Sequence, residues 1–599
     1  MAQFTTLFSE RQPTFHYSLG HGLTFKTSAI LSTSSSCSIS PPVKTLLVTS
    51  KLGEQQLLRR SGNYQPSTWD FCYVESLSNQ YSGKRYINRC LVLKEQVKMM
   101  LDEEVDLLIQ LKLIDDLQRL GIAYHFQNKI QSILSGVYKE NHLGNTSREK
   151  DLYATALEFR LLRQHGFDVS QEVFNCFKNE KGNFKANLCE DIKGMLHLYE
   201  ASFLLVESES TLEMAREFSS ECLENVLNHE GISEELILLV QHSLELPLHW
   251  RMQRLEARWF IDMYEKRANR NPTLLDLAKI DFNLVQATHQ DDLQYASRWW
   301  QSTCLAENLA FARDRLVENF FWTVGVIFDP QQGYCRRMST RVNALVTTID
   351  DVYDVYGTLD ELELFTAAVE RWDLGVMDQL PSYLKLCYFA LYNSINEMAY
   401  DVMKEQGVHV ISYLKNSWTD LCKAYLQEAK WYHSGYVPTL QEYLDNAWIS
   451  ISAPVILVHA YFFVSSPITN EALECLDRYH NIIRCSAMIL RLADDLGTST
   501  DELQRGDVPK SIQCYMNESG ASEEEAREHT RFLIGEAWKQ MNKERVADSP
   551  FSQTFIGMAM NLGRMAQCMY QYGDGHGSSN SQTKDRIRAL LLDPVGLSF

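Results

Sequence analysis

Asp350-Asp351-Val352-Tyr353-Asp354 closes the apolar run Ala344-Leu345-Val346-Thr347-Thr348-Ile349. On a helix, positions i and i+4 share a face, so Asp350 and Asp354 project side by side. Two anions so placed repel unless cations sit between them. An all-oxygen set suits a hard ion such as Mg²⁺, which keeps several waters and completes its shell from a substrate phosphate. A solvated helix end bearing three acids is the alternative, and the motif by itself leaves both open. Downstream, Asp494, Thr498 and Glu502 stand at i, i+4 and i+8, one helical face over two turns, and all offer oxygen. Gly497 inside that stretch weakens the helix by up to about 1 kcal/mol. Arg491 precedes Asp494 by one turn, and Arg505 and Lys510 follow. Arg313-Asp314-Arg315 lies upstream. Alone it reads as a surface salt-bridge cluster of little worth. Beside two carboxylate clusters it fits a diphosphate clamp, because Arg grips phosphate oxygens bidentately and Lys acts as a point charge.

With these motifs in this order, the chain resembles a plant class I terpene synthase, which starts its reaction by ionising a diphosphate. The resemblance covers nearly everything after residue 58. It rests on Asp350 to Asp354, on Asp494/Thr498/Glu502, on Arg313/Arg315, on Arg505-Gly506-Asp507-Val508-Pro509-Lys510-Ser511-Ile512-Gln513 and on Arg298-Trp299-Trp300. Arg59-Arg60, followed by eight residues and Trp69, resembles the tandem-arginine motif of the monoterpene branch.

The resemblance implies a set of roles. The substrate is an allylic diphosphate, geranyl diphosphate foremost. Asp350, Asp351, Asp354, Asp494, Thr498 and Glu502 are expected to bind Mg²⁺, three ions in the family, with Mn²⁺ as a substitute. Arg313, Arg491 and Lys510 are expected to add charge at the diphosphate. Trp322, Tyr425 and Tyr570 are expected to face a carbocation, which aromatic rings stabilise without attacking it. Ordinary core packing is the alternative for each. His576, in Gly573-Asp574-Gly575-His576-Gly577, matches a pocket-lining position able to take a proton, with an exposed loop His as the alternative. Asn343 lies two helical turns before Asp350, so it should share that cavity. In the family an Asn here accompanies cyclisation through an α-terpinyl cation. Both proton loss (limonene) and water capture (terpineol, 1,8-cineole) stay open. Arg59, Arg60 and Trp69 are expected to form an arm that caps the site and assists isomerisation, or else pins helices together. One exposed carboxylate is not structural, so replacing Asp350 or Asp351 is expected to stop turnover with little loss of fold.

These residues need long helices to bring them together. Apolar residues at helical spacing run from Leu93 to Leu120, through Ile192, Leu196 and Tyr199 with Leu204, and from Leu236 to Leu246 before Pro247. Strand-like alternation is scarce. The expected fold is all-α, in two helical domains. The polar break Lys266-Arg267-Ala268-Asn269-Arg270-Asn271-Pro272 suggests a boundary. Residues 59–270 would form the vestigial N-terminal helical domain of the family. Residues 271–599 would form the class I helical bundle that holds the metal site. Residues 1–58 hold only two acids, Glu10 and Glu54, and a Ser32-Thr33-Ser34-Ser35-Ser36 run, the make-up of a plastid transit peptide. The stroma is the expected location.

Composition excludes some classes. A net charge of −20 argues against a general nucleic-acid binder. No uninterrupted apolar run is long enough to span a bilayer. The fourteen Cys are scattered, without a ligand pattern, and read mostly as small buried hydrophobes of a reducing compartment. Asp115-Asp116 lacks a carboxylate at i+4 (Arg119) and an Asp two places earlier (Leu113), so it reads as helix surface rather than a second active site. Asp102 and Asp106 share a face and read as solvated. The rivals are an acyclic monoterpene or isoprene synthase (linalool, ocimene), a farnesyl diphosphate cyclase, a chain-elongating prenyltransferase and a non-catalytic helical interaction protein. Monomer and homodimer both remain open.

Overall fold

Helix follows helix because caps and breakers sit where the periodic runs begin and end. The computed structural model describes residues 59–142, 151–229, 231–505, 508–577 and 581–597. The proposed transit peptide, 1–58, lies outside the described residues, as do Gly506 and Asp507. Among the described residues the chain is helical, with one isolated bridge between Lys178 and Phe184.

The polar break at 266–272 falls between helices. Gln253–Lys266 ends there, and Pro272 opens the 32-residue helix Pro272–Thr303, with Asn271 capping Thr273 and Leu274. Pro suits that first position because its missing N–H has no partner there anyway. One continuous apolar core runs from Val74 to Val595, and a second cluster lies within 152–240. The helix Gly333–Asp351 is buried over most of its length. It loosens into a π turn, Val352–Tyr356, at the first acidic motif. A Thr358/Glu361 capping box then starts Leu359–Arg371. The second motif sits near the end of Asn481–Arg505.

Four local expectations are corrected. The Leu93–Leu120 stretch is two helices, Lys84–Glu103 and Leu107–Arg119, so Asp102 and Asp106 do not share a face. Asp106 caps the second helix through Ile109 N, and Asp102 pairs with Lys129. Asp115 is not surface: it is buried in an ion pair with Arg160 at 2.5 Å. Cys189 and Cys222 are joined in a disulfide, and Cys72, Cys176 and Cys304 are exposed, so these five are not free buried thiols. The stretch Leu440–Val464 does reach the length and hydropathy of a membrane span, but 72% of its most apolar 18-residue window is buried inside the protein. It is also two helices, Leu440–Ser450 and Ala453–Val464, broken at Ser452, whose φ is +67°.

Candidate active site

One cavity of about 140 Å³ gathers the motifs. Its walls come from the helices Leu316–Val326, Gly333–Asp351, Ile411–Ser434, Asn481–Arg505 and Gln553–Tyr570, with the break at 450–452 and the loop at 574–576. Asp350 and Asp354 line it, and so do Asp494 and Thr498. The Glu502 side chain lies outside the described residues, and so does that of Arg505. Asn343, Val346, Thr347 and Asp350 line it at i, i+3, i+4 and i+7, which is how one helical face presents itself.

Asp351 departs from its expected exposure. It is fully buried, beneath the cavity rather than in it. Its Oδ2 accepts the backbone N–H of Arg313 at 2.6 Å and the Arg313 Nε–H at 3.1 Å. Burial pushes its carboxyl up, and the Arg313 charge opposes that. The same guanidinium pairs with Asp350. Asp351 thus anchors Arg313, and the expectation that it is an exposed, non-structural acid is wrong.

The cations are held in the same manner. Arg491, buried, pairs with Asp494 and lies 3.2 Å from Asp495. Asp495 is fully buried and also accepts Tyr443 Oη–H (3.0 Å) and Ser511 N–H (3.1 Å), fixing the segment after Lys510. Lys510 Nζ is 3.5 Å from Glu428. Arg313, Arg491 and Lys510 all line the cavity. Arg315 does not. Its guanidinium donates to Gln65 O (2.9 Å) and Gly577 O (3.1 Å), so it ties the arm to the C-terminal loop. Trp300 Nε1–H donates to Asp314 at 3.0 Å, which explains the Trp beside the Arg-Asp-Arg turn.

The aromatic candidates meet at the cavity. Trp322, Tyr425 and Tyr570 line it, with Trp322 and Tyr570 centroids 6.1 Å apart. Burial, then the neighbouring aspartates, holds both phenols protonated: Asp350 and Asp354 act on Tyr425, and Asp494 acts on Tyr570. His576 also lines it, edge-on to Trp322 at 6.5 Å, with Nε2 3.4 Å from Thr347 Oγ1. Desolvation, with Arg313 and Arg315, lowers its pKa to about 3, so the imidazole is neutral. Asn343 is buried; Nδ2 donates weakly to Asn319 O at 3.5 Å, and Oδ1 has no partner among the described residues. His576 Nδ1 is likewise buried without one.

The arm lies against the first acidic motif. Arg59 forks onto Glu361 at 2.8 and 2.9 Å and donates to Tyr356 O at 3.0 Å. Arg60 donates to Asp354 O at 3.0 Å and sits 4.3 Å over the Tyr432 ring. Trp69 Nε1–H donates to Glu318 at 3.0 Å.

The sequence reading missed Glu428, Asn319, Thr347 and the 450–452 break. Thr347 is detectable from its i+4 spacing to Asn343. Glu428 stands at i+3 from Tyr425 and i+4 from Ala424, on the buried face of its helix, so an acid within an apolar stripe was the signal that could have found it.

Gly497 earns its place through contact. A Cβ there would sit 2.9 Å from Tyr570 Cβ and 3.1 Å from Tyr570 O. Backbone cannot yield easily, so Gly497→Ala is expected to destabilise by about 1–3 kcal/mol despite better helix propensity. Thermal melting and product profile should both shift, because Tyr570 is displaced. An unchanged melt would refute the contact.

The two acidic motifs offer the cavity oxygen donors only, Asp350, Asp354, Asp494 and Thr498, which fits a hard divalent ion. Among the described residues no three His, Cys, Asp or Glu side chains cage a point.

Residues 68–244 match the family model "Terpene synthase, N-terminal domain", and residues 301–540 match "Terpene synthase family, metal binding domain". A chloroplastic linalool synthase of Coffea arabica is 64% identical over 548 residues, covering 91% of this chain and 92% of that one. A (−)-α-terpineol synthase of Vitis vinifera is 62% identical over 566 residues, covering 94% and 96%. A solved limonene synthase with 2-fluorolinalyl diphosphate superimposes with TM-score 0.88 at 51% identity, covering 90% of this chain and all of that one.

Proposed function

The chain belongs to the terpene synthase family, and from that membership we propose that it is a monoterpene synthase, a lyase that releases diphosphate from geranyl diphosphate. The observation that carries the reading is the convergence of both acidic motifs, three cations and three aromatic rings on one cavity. The tandem Arg59-Arg60 arm over Asp354 supports a C10 substrate. The acid-poor first 58 residues, and relatives whose names say chloroplastic, support the plastid stroma. The domain boundary at 270/271 belongs to the same proposal, between the silent N-terminal half and the catalytic half.

Asp350 and Asp354, with Asp494, Thr498 and Glu502, would hold Mg²⁺, three ions by family precedent, and Mn²⁺ would fit the same donors; bound there, the metal supplies Lewis-acid charge to the leaving diphosphate. Arg313, Arg491 and Lys510 donate N–H bonds to the same oxygens, and these strengthen as charge moves onto the leaving group. Buried walls exclude the water that would quench the allylic cation. Trp322, Tyr425 and Tyr570 stabilise it by cation–π attraction, about 2 kcal/mol each when desolvated.

Termination is proposed at the wall of Asn343, Thr347 and His576. Asn343 Oδ1 and His576 Nδ1 are buried polar atoms with no partner among the described residues, a setting suited to a held water. This favours a cyclic alcohol or ether (α-terpineol, 1,8-cineole) over limonene. The cation gains a C–O bond from the water, and the resulting oxonium gives its proton to neutral His576. Without water, the cation loses a C–H proton instead. A linalool-type acyclic alcohol is the second reading, since a 64% identical relative bears that name.

Asn343→Ile fills the polar niche with an apolar branch. Turnover is expected within about threefold of wild type, with oxygenated products replaced by hydrocarbons. An unchanged product spectrum would remove Asn343 from the pocket. The reading as a whole is tested by chiral gas chromatography–mass spectrometry of products from geranyl, farnesyl and dimethylallyl diphosphates. A cyclic C10 product is expected, and preference for another chain length would overturn the assignment.

A further inference from the structure

Each of the three cations at the cavity has a carboxylate partner, but the partners differ in kind. Arg313 is held by Asp350 and Asp351, and Arg491 by Asp494 and Asp495, all within the acidic motifs. Lys510 is held by Glu428, on the helix Ile411–Ser434, outside both motifs. Glu428 is 4% exposed. It borders the catalytic cavity and also a neighbouring space of about 130 Å³ beneath Arg59 and Arg60, and Lys510 borders the same two.

The two oxygens of Glu428 divide their work. Oε1 accepts the hydroxyl of Ser450 and the amide Nδ2–H of Asn446 at 3.3 Å. Asn446 is itself fixed by donating to Ala424 O at 3.1 Å. Oε2 faces Lys510 Nζ at 3.5 Å. The other end of Lys510 is fixed too, since its backbone N–H donates to Gln513 Oε1 at 3.1 Å. A lysine is a point charge on a flexible stem, and burial costs it both hydration and rotamer freedom. A carboxylate that is locked in place restores the first and exploits the loss of the second.

We propose that Glu428 is the positioning residue of Lys510, holding its ammonium at the junction of the two spaces where it meets the diphosphate. The proposal rests on the reading that Lys510 contacts the diphosphate. Both Glu428 oxygens are engaged by Ser450, Asn446 and Lys510, which makes it a positioning residue rather than a catalytic one. It is not a metal ligand of either motif, so it remains a counter-ion for Lys510 when the acidic motifs engage metal.

A double-mutant cycle on the full chain tests this, read by kcat, KM and inhibition by inorganic diphosphate. Glu428→Gln keeps an acceptor for Ser450 and Asn446 and removes the ion pair. It is expected to lower kcat/KM about tenfold, mainly through kcat, and to weaken inhibition by inorganic diphosphate. Lys510→Met is expected to do so more strongly. In the Lys510→Met background, Glu428→Gln should cost less than about twofold, because the residue it positions is gone. Losses that multiply would overturn the proposal and leave Glu428 with a merely structural role. Lys510→Met without effect on diphosphate inhibition would overturn the underlying reading instead. Should Glu428→Gln fail to fold, Glu428→Asp keeps the charge, withdraws it by one methylene and carries the same cycle with the same expected non-additivity.

Discussion

Asp350→Ala stops turnover while the protein stays folded. The carboxylate faces the cavity and is one of the oxygens that would hold the metal. Losing that charge stabilisation at the leaving group is expected to lower kcat about a thousandfold. Stability should hardly move. The Asp350 side chain is 26% exposed, and its partner Arg313 keeps Asp351, so the lost pair is partly screened and replaceable. Steady-state kinetics and a melting curve check the two halves separately. Activity within tenfold of wild type would remove Asp350 from the leaving-group machinery.

Its neighbour should behave differently. Asp351→Ala is expected to lose both activity and stability, the latter by about 2–4 kcal/mol, because it leaves the Arg313 guanidinium only the partly exposed Asp350 and leaves the Arg313 backbone N–H without its acceptor. Asp351→Asn restores an acceptor for that N–H and should recover part of the stability, with turnover still low. Denaturant midpoints for the three proteins decide the point. An Asp351→Ala protein as stable as wild type would contradict the buried anchor.

These two adjacent aspartates show what the sequence made legible and what it did not. Asp350, Asp354, Asp494 and Thr498 could be read from spacing, because an i, i+4 repeat on a helix fixes a shared face whatever surrounds it. Asn343 could be placed at the cavity for the same reason. Asp351 lies one step around the helix, about 100° away, and whether that direction meets solvent or protein depends on the segment packed there. Arg313 comes from that distant segment, 38 residues earlier, so the expectation of exposure failed. Arg315 misled for a similar reason. Two residues beyond Arg313, it points to Gln65 and Gly577 rather than to the cavity. Gly497 was read as a weak point in the helix, whereas the close approach of Tyr570 is what excludes a side chain there. The all-α architecture was legible because helical periodicity and caps are local. The break at Glu104-Val105-Asp106 was not, because the apolar spacing continues across it while Asp106 caps a new helix.

Metal-assisted ionisation of geranyl diphosphate in this cavity makes diphosphate release dependent on metal and coupled to product. Protein stripped with EDTA would be given geranyl diphosphate and titrated with Mg²⁺, with released diphosphate and volatile C10 product measured together. No release without metal, then saturable release matched mole for mole by a C10 product, is the expected result. Release without metal, or release with no C10 product, would contradict the account.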